Sequence, residues 1–335
     1  MSEMGKTLGV IGLGLIGGSM ALDLKRRGFA SHTLGTESDP VAAEAAGTIG
    51  LVDEVVDPDT LVARSDIIVL AVPVGAAVDL LPSLLDAVGG GTPLCGRVHP
   101  RTRVGGGARW MQVPAGDAAD NGRGRSERSE RSSAEGSVSA GKIVIDVCST
   151  KEAVCRAVEN HPARGRFVST HPMAGTEYSG PWAAQPGLFD GRACIFCDAE
   201  KSDPEAVAEI ERLYASLNMR VLQMPSAQHD MHAAYVSHIS HVTSFALALT
   251  VLDKEKDEKH IFDLASGGFS STVRLAKSNP DMWVPILTQN KDNILQVMDT
   301  YIEKMRAFRE AVAARDEDRI RELIEEANHI KKILR

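Results

Sequence analysis

The sequence predicts two halves of different construction, an α/β half organised around a parallel sheet and an all-helical half behind it. Three observations carry this. Apolar strand-like segments alternate with amphipathic helix-like ones up to about residue 225, the pattern that requires crossover helices between parallel strands. Beyond Pro225 the strand signals stop and long stretches of 3.6-residue periodicity take over. The length of 335 residues, 43% of them hydrophobic, suits about two domains of ~150 residues, each able to bury a core.

Residues 8–11 are the first strand, short and apolar. A helix follows in which Ile16, Met20 and Leu24 recur every four residues and Gly28 supplies the stop. Residues 33–36 read as the second strand, and residues 67–73, 142–148 and 166–170 as three more. The segments IIVLAVP and KIVIDVC among these are dense enough in β-branched residues for burial on both faces. Residues 193–196 and 221–224 extend the sheet. Between them Asp203 reads as an N-cap and Pro204 as the first helical residue of a helix to about Leu217. In the second half, helices are expected over 227–252, around 282–315 and over 319–334, the last with Ile320, Leu323, Ile324, Ala327 and Ile330 on one face. The expected division is thus 1–225 and 226–335.

Residues 97–141 fit neither half. They contain no Leu, Ile or Phe and carry eight Arg against five acids, with Arg125, Arg128 and Arg131 separated by Ser-Glu pairs. Such a segment buries too little apolar area to offset its ordering entropy and is expected to be a disordered surface insertion. A basic docking arm, anchored by Trp110 and Met111, is the functional alternative. The whole chain carries 37 basic and 45 acidic residues, a net charge of −8, which argues against a broad nucleic-acid or membrane-surface footprint. The longest apolar runs, such as 67–73 and 245–252, are shorter than the ~20 residues that span a bilayer. The first nine residues lead into a strand with no charged-then-apolar leader, so a cytoplasmic location is expected. Five cysteines, Cys95, Cys148, Cys155, Cys194 and Cys197, do not make a disulfide framework. Cys194 and Cys197 are three apart in a strand and so point to opposite faces, which speaks for buried thiols over a metal or redox pair.

Gly12-Leu13-Gly14-Leu15-Ile16-Gly17 stands directly after the first strand and opens the first helix. In a Rossmann-type unit the first glycine allows the tight turn, the second lets a pyrophosphate reach the backbone, and the third lets helix and strand pack closely. The helix N-terminus then offers N–H groups and a positive dipole end to phosphate. Glu37, at the end of the second strand, can accept from an adenosine ribose and would repel a 2′-phosphate, so NAD is expected over NADP. Ligands bind at the carboxyl ends of strands in such a sheet. There the sequence places Val72 and Pro73, then Ser149, then His171 in Thr170-His171-Pro172-Met173-Ala174-Gly175-Thr176-Glu177. A histidine is suited to accept a hydroxyl proton while hydride leaves the same carbon, although it could also merely end a strand. In the helical half, His238 and His241 lie three apart on one face, with His229 and His232 before them. Their spacing, without a carboxylate on the same face, is a poor zinc pattern and no metal is expected. Arg274 follows Gly267 and Gly268 in a glycine-marked loop or helix start and offers a fork for a carboxylate.

Taken in order, the glycine loop, Ser149-Thr150-Lys151, the 170–177 motif, Val236-Ser237-His238-Ile239-Ser240-His241 and the 267–283 segment containing Arg274-Leu-Ala-Lys-Ser-Asn-Pro-Asp-Met-Trp283 resemble the prephenate dehydrogenase (prephenate/arogenate dehydrogenase) family. The resemblance covers nearly the whole chain outside 97–141. It implies NAD-dependent oxidative decarboxylation of prephenate to 4-hydroxyphenylpyruvate in tyrosine biosynthesis. It implies His171 as acceptor of the ring hydroxyl proton, Ser149 as its orienting partner and Arg274 as the carboxylate ligand. Ser237, His238, Thr176 and Glu177 would line the substrate pocket, Gly12 to Gly17 with Glu37, Val72 and Pro73 would hold NAD, and the helical domain would serve substrate binding and homodimerisation. Ser271 stands where some relatives carry an acid. With no regulatory domain expected after Arg335 and no fused mutase before Met1, tyrosine control would act elsewhere. Arogenate as substrate, a β-hydroxyacid dehydrogenase and a non-catalytic NAD-binding protein are the alternatives. The motif around His171 and the joint presence of Ser149, His171 and Arg274 speak against the last two.

Overall fold

In the structure, a computed structural model, residues 5–90, 94, 141–256, 258 and 260–333 are described. The expected insertion 97–141 lies outside them apart from Gly141, as does Cys95. The chain divides into two compact units, Met1–Ser226 and Ala227–Arg335.

The first unit is built on eight strands, β1 (Lys6–Ile11), β2 (Ala30–Thr36), β3 (Glu54–Val55), β4 (Ile67–Leu70), β5 (Ile143–Asp146), β6 (Phe167–Pro172), β7 (Ala193–Cys197) and β8 (Arg220–Met224). Their order is β3-β2-β1-β4-β5-β6-β7-β8. All neighbours run parallel except β6 and β7. Chain direction across the sheet reverses between β1 and β4, which opens the crevice where such sheets take ligands. Every residue of β4 and β5 is buried, as their β-branched composition requires of central strands. Among the described residues, six helices cross between strands: α1 (Leu15–Arg26), α2 (Pro40–Ile49), α3 (Pro58–Arg64), α4 (Val74–Val88), α5 (Glu152–Ala157) and α6 (Pro204–Ser216). Helices α2 and α3 start where Asp39 and Asp57 accept from backbone N–H groups of the first turn and proline takes a first-turn position. Met20 and Leu24 of α1 pack on Val10, Val69, Ile145 and Val168 to form the main core.

Local expectations are corrected: the strands expected over 67–73 and 142–148 span only Ile67–Leu70 and Ile143–Asp146, since the chain leaves the sheet there for the turns that lead to α4 and to Lys151. Asp203 stands at the start of α6, but its side chain makes no capping bond and faces Arg166 Nη1 at 3.5 Å instead. Strand β6 runs on through His171 and Pro172, because antiparallel β7 pairs Ile195 with His171 and Cys194 with Pro172. The two-residue β3 gave no sequence signal. Cys194 and Cys197 are fully buried free thiols that belong to separate apolar clusters, on opposite sides of β7.

The second unit is helical. α7 (Ser226–Ala233), a π-helical turn at Ala234–His238 and α8 (Ile239–Glu255) form one long helix. α9 (Gly267–Thr272), α10 (Pro280–Gln289), α11 (Lys291–Ala314) and α12 (Glu317–Asn328) follow. The single stretch expected around 282–315 is broken at Asn290, whose side chain is committed to Asp230 and His238 of the Ser226–Glu255 helix. The Ser226–Glu255 helix is, by length and composition alone, long and apolar enough to cross a membrane, which the lengths of the apolar runs did not foreshadow. Its core-facing partners are few. Ala234, Ile294 and Val297 are buried together against Ile239, Leu287 and Met298, while Leu249, Met305 and Val312 stay exposed.

Candidate active site

The glycine loop turns between β1 and α1. Gly12 has φ +96°, the left-handed region where glycine is favoured, and a Cβ there would lie 2.4 Å from the Ala71 carbonyl oxygen. A Cβ on Gly17 would sit 2.0 Å from the Gly12 carbonyl oxygen, whereas one on Gly14 would meet nothing within 4 Å. Two glycines thus let the loop close on β4 and on itself, and the third leaves open space over the backbone. No side chain caps α1, so its first-turn N–H groups around Leu15 and Ile16 face that space with the helix dipole behind them. The cradle fits a dinucleotide pyrophosphate. Glu37 lies at its edge, accepting from Leu13 N–H at 3.0 Å and from Ser38 N–H at 2.7 Å. Val72 and Pro73 follow β4 on the neighbouring strand, and α4 begins immediately after them.

Ser149 and His171 belong to adjacent strand ends. Asp146 of β5 pairs with Ser169 of β6, so Ser149 lies three residues beyond that rung and His171 two; both are half-buried. Beneath them is a buried polar clamp that sequence reasoning missed. Lys151 and Asp146 form an ion pair with both side chains 0% exposed. Lys151 Nζ also donates to the Thr170 carbonyl at 2.7 Å. Asp146 accepts from Cys148 N–H at 3.0 Å, Ser169 Oγ at 3.1 Å and Thr170 N–H at 3.3 Å. The Thr170 hydroxyl lies 2.7 Å from that of Tyr214. Burial opposes the lysine's charge, but Asp146, helped by nearby thiols, overrides it and holds the Lys151 pKa above the ordinary value. The same burial pushes the Cys148 and Tyr214 pKa values up. The clamp ties the loop carrying Ser149 to residue 170, immediately before His171. An aspartate ending a β-branched strand, followed within a turn by lysine, was the available signal. Thr176 and Glu177 lie half-buried in the loop after β6.

In the helical unit, His238 is 1% exposed and His241 half-buried, both against Trp283 of α10. The Trp283 ring stacks on His241 at 3.5 Å between centroids and meets His238 edge-on at 5.9 Å. The buried Trp283 indole nitrogen has no hydrogen-bond partner among the described residues. Burial pushes His238 down to about 4, and His229 and His241 add to this while Asp230 opposes it. Burial also lowers the His241 pKa, opposed by the Ser237 carbonyl and aided by the charge of Arg274. Arg274 is exposed and opens a short 3-10 turn (Arg274–Lys277). Ser237 is half-buried within the π-helical turn. The structure thus gathers the expected residues into two groups, one in each unit. Trp283 and Asn290 join the second.

A Rossmann sheet with an open glycine cradle, joined to a helical unit, defines a dinucleotide-binding protein of two units. The family pattern described as "Prephenate dehydrogenase, nucleotide-binding domain" matches residues 20–95 and 131–223, and "Prephenate dehydrogenase, dimerization domain" matches 225–326. The chain belongs to the prephenate dehydrogenase family. A prephenate dehydrogenase of Bacillus subtilis (strain 168) is 27% identical over 322 residues, 96% of this chain and 74% of that protein. A cyclohexadienyl dehydrogenase of Zymomonas mobilis is 29% identical over 194 residues, 58% of this chain and 66% of that protein. Among solved structures, prephenate dehydrogenase from A. aeolicus in complex with hydroxyphenyl propionate and NAD+ superposes with a TM-score of 0.76, at 23% identity and full coverage of both chains. Synechocystis arogenate dehydrogenase gives 0.66 at 25% identity, covering 97% of this chain and 99% of that one.

Proposed function

We propose that the protein is an NAD-dependent prephenate dehydrogenase that converts prephenate to 4-hydroxyphenylpyruvate and CO2. The observation that carries this is the placement of Ser149 and His171 on adjacent strand ends of the sheet whose glycine loop opens the cofactor cradle, within a chain of this family. NAD, when bound, supplies the hydride acceptor. Gly12, Leu13, Gly14, Leu15, Ile16 and Gly17 hold its phosphates, and Val72 and Pro73 border it. Glu37 takes the ribose hydroxyls and disfavours a 2′-phosphate.

His171 accepts the proton of the ring hydroxyl as the C4–H bond breaks, and Ser149 orients that hydroxyl. The ring carboxylate leaves as CO2, its bonding pair completes the aromatic ring, and the ring oxygen takes its proton back from His171. Arg274 binds a substrate carboxylate, with Ser237, His238, Thr176 and Glu177 lining the pocket. The helical unit, which carries the dimerization pattern and exposed Leu249, Met305 and Val312, forms a homodimer, so the Ser226–Glu255 helix serves assembly rather than membrane passage. A cytoplasmic location belongs to the same reading, resting on the need for a dinucleotide pool.

The test is NADH or NADPH formation with prephenate and with arogenate, each with NAD and NADP. Turnover of prephenate with NAD is expected to dominate. Arogenate turnover in excess of prephenate would transfer the assignment to the aminated substrate, and no reduction with either would refute it.

A further inference from the structure

The helical unit fixes the protonation pattern of His238 as well as its position. Asn290, buried at the break between α10 and α11, is anchored through both ends of its amide. Its Nδ2 donates to the Asp230 carbonyl at 2.7 Å, and its Oδ1 accepts from Asn293 Nδ2 at 2.8 Å. A backbone carbonyl only accepts, so the nitrogen end of the amide must face it. That nitrogen has a second proton, and His238 Nδ1 lies 3.1 Å from it. Two donors cannot share one hydrogen bond. Nδ1 of His238 therefore carries the lone pair, and the ring proton sits on Nε2. His241 has the opposite arrangement, since its Nδ1 faces the Ser237 carbonyl at 3.1 Å and must donate.

We propose that Asn290 is a positioning residue that locks His238 in the Nε2–H tautomer, making this histidine a permanent hydrogen-bond donor to an anionic oxygen of the substrate rather than an acid or base. The substrate half rests on the assignment of His238 to the pocket; the tautomer does not. The surroundings favour a ring that stays uncharged. Asp230 is the one acid among the groups acting on it, and burial, with His229 and His241, outweighs that charge. Asp230 is itself engaged by His229 Nδ1 at 2.8 Å. The Trp283 ring packs against the His238 ring nearly at right angles. The π-helical turn ends at His238, and such turns recur where a helix must re-aim a functional side chain.

The test uses the full-length protein labelled with 15N-histidine, with His238 assigned by the loss of its signals in His238→Gln. Long-range proton–nitrogen spectra are expected to show an Nε2–H pattern for His238, unchanged between about pH 5.5 and 9, and an Nδ1–H pattern for His241. An Nδ1–H pattern for His238, or titration of its ring near the ordinary pKa of about 6.5, overturns the proposal. In Asn290→Asp the carboxylate would accept from Nδ1–H, so the ring should gain a second proton and titrate at higher pH; an unchanged spectrum overturns the role of Asn290. Asn290→Ala, kept as the milder variant, should mix the two tautomers and raise KM for prephenate on the order of tenfold, with kcat changed much less. Prephenate should shift the His238 Nε2–H signal, and turnover with that signal unmoved overturns the donor role. An intact Nε2–H pattern without turnover of prephenate would instead overturn the activity reading and uphold the lock.

Discussion

Replacing Lys151 by Met removes a charge from beneath the Ser149 and His171 strand ends while keeping much of the side chain's length. Asp146 then remains 0% exposed with three donors, Cys148 N–H, Ser169 Oγ and Thr170 N–H, at 3.0, 3.1 and 3.3 Å. Removing one partner of a buried ion pair destabilises by roughly 3 to 5 kcal/mol because the other charge is left uncompensated. The three surviving donors place the expected loss near the bottom of that range, about 3 kcal/mol. The double variant Lys151→Met/Asp146→Asn has no isolated charge. It should lose only the net value of the hydrogen bonds, about 1 to 2 kcal/mol, and so be more stable than the single variant. Thermal melts followed by circular dichroism should show a fall of roughly 6 to 12 °C for the single variant, at 2 to 4 °C per kcal/mol for a unit of this size. A shift below about 2 °C, or a double variant melting no higher than the single, would refute the charge-isolation argument. Because the clamp also holds residue 170 against the Ser149 loop, kcat should fall in both variants while the affinity for NAD is retained.

The other predictions concern the two ends of the chemistry and the acid limit of the fold. His171→Asn should lower kcat by roughly 10² to 10⁴ with NAD binding by fluorescence titration unchanged, and a normal rate would remove His171 as the base. Gly17→Ala puts a Cβ 2.0 Å from the Gly12 carbonyl oxygen, so NAD affinity should fall by at least about tenfold, measured by calorimetry. Wild-type affinity would show that the loop has room to relax. His238, with an ordinary value of 6.5 lowered to about 4 in the fold, refuses a proton that the unfolded chain accepts. Stability should thus be intact above pH 6.5 and drain away as pH falls toward 4, by about 3 kcal/mol in all, at ~1.4 kcal/mol per pH unit. His238→Gln should flatten the dependence of the urea midpoint on pH across that window, and an unchanged slope would assign the acid sensitivity to other groups.

What the sequence made legible follows from how local each signal is. The α/β half could be read because each strand is an apolar run bounded by its own turn, and the glycine loop because its three small residues sit within six positions of one another. Two-residue β3 carries no periodicity, and its pairing with β2 is decided by the sheet. The Asp146–Lys151 clamp hides for another reason: the pair joins a strand end to a helix start across a turn, and only the register of β5 against β6 brings residue 170 to it. Asn290 was invisible because the apolar pattern continues on both sides of it. The break there is set by hydrogen bonds to Asp230 and His238, some sixty and fifty residues earlier in the chain. The spacing of His238 and His241 raised only the question of a metal. Their opposite hydrogen-bonding roles depend on a backbone carbonyl in one case and an amide side chain in the other, neither of which spacing encodes.

A net charge of −8 poses a physical problem for a protein whose proposed ligands are both anionic. A field of that sign repels them at long range, so attraction has to come from groups that act at contact and do not depend on net charge. The structure supplies mostly uncharged ones. The first turn of α1 offers backbone N–H groups and a dipole end, Gly14 leaves the approach to them open, and His238 offers a ring N–H that keeps its proton without becoming cationic. Lys151, a buried cation beneath the sheet's strand ends, is engaged by Asp146 and Thr170 and steadies those ends. Arg274 is the charged exception, and it is exposed, where it can meet a carboxylate without the desolvation penalty that burial would impose. On the proposed reading, neutral donors in buried positions and an exposed arginine let an acidic chain meet anions at contact range.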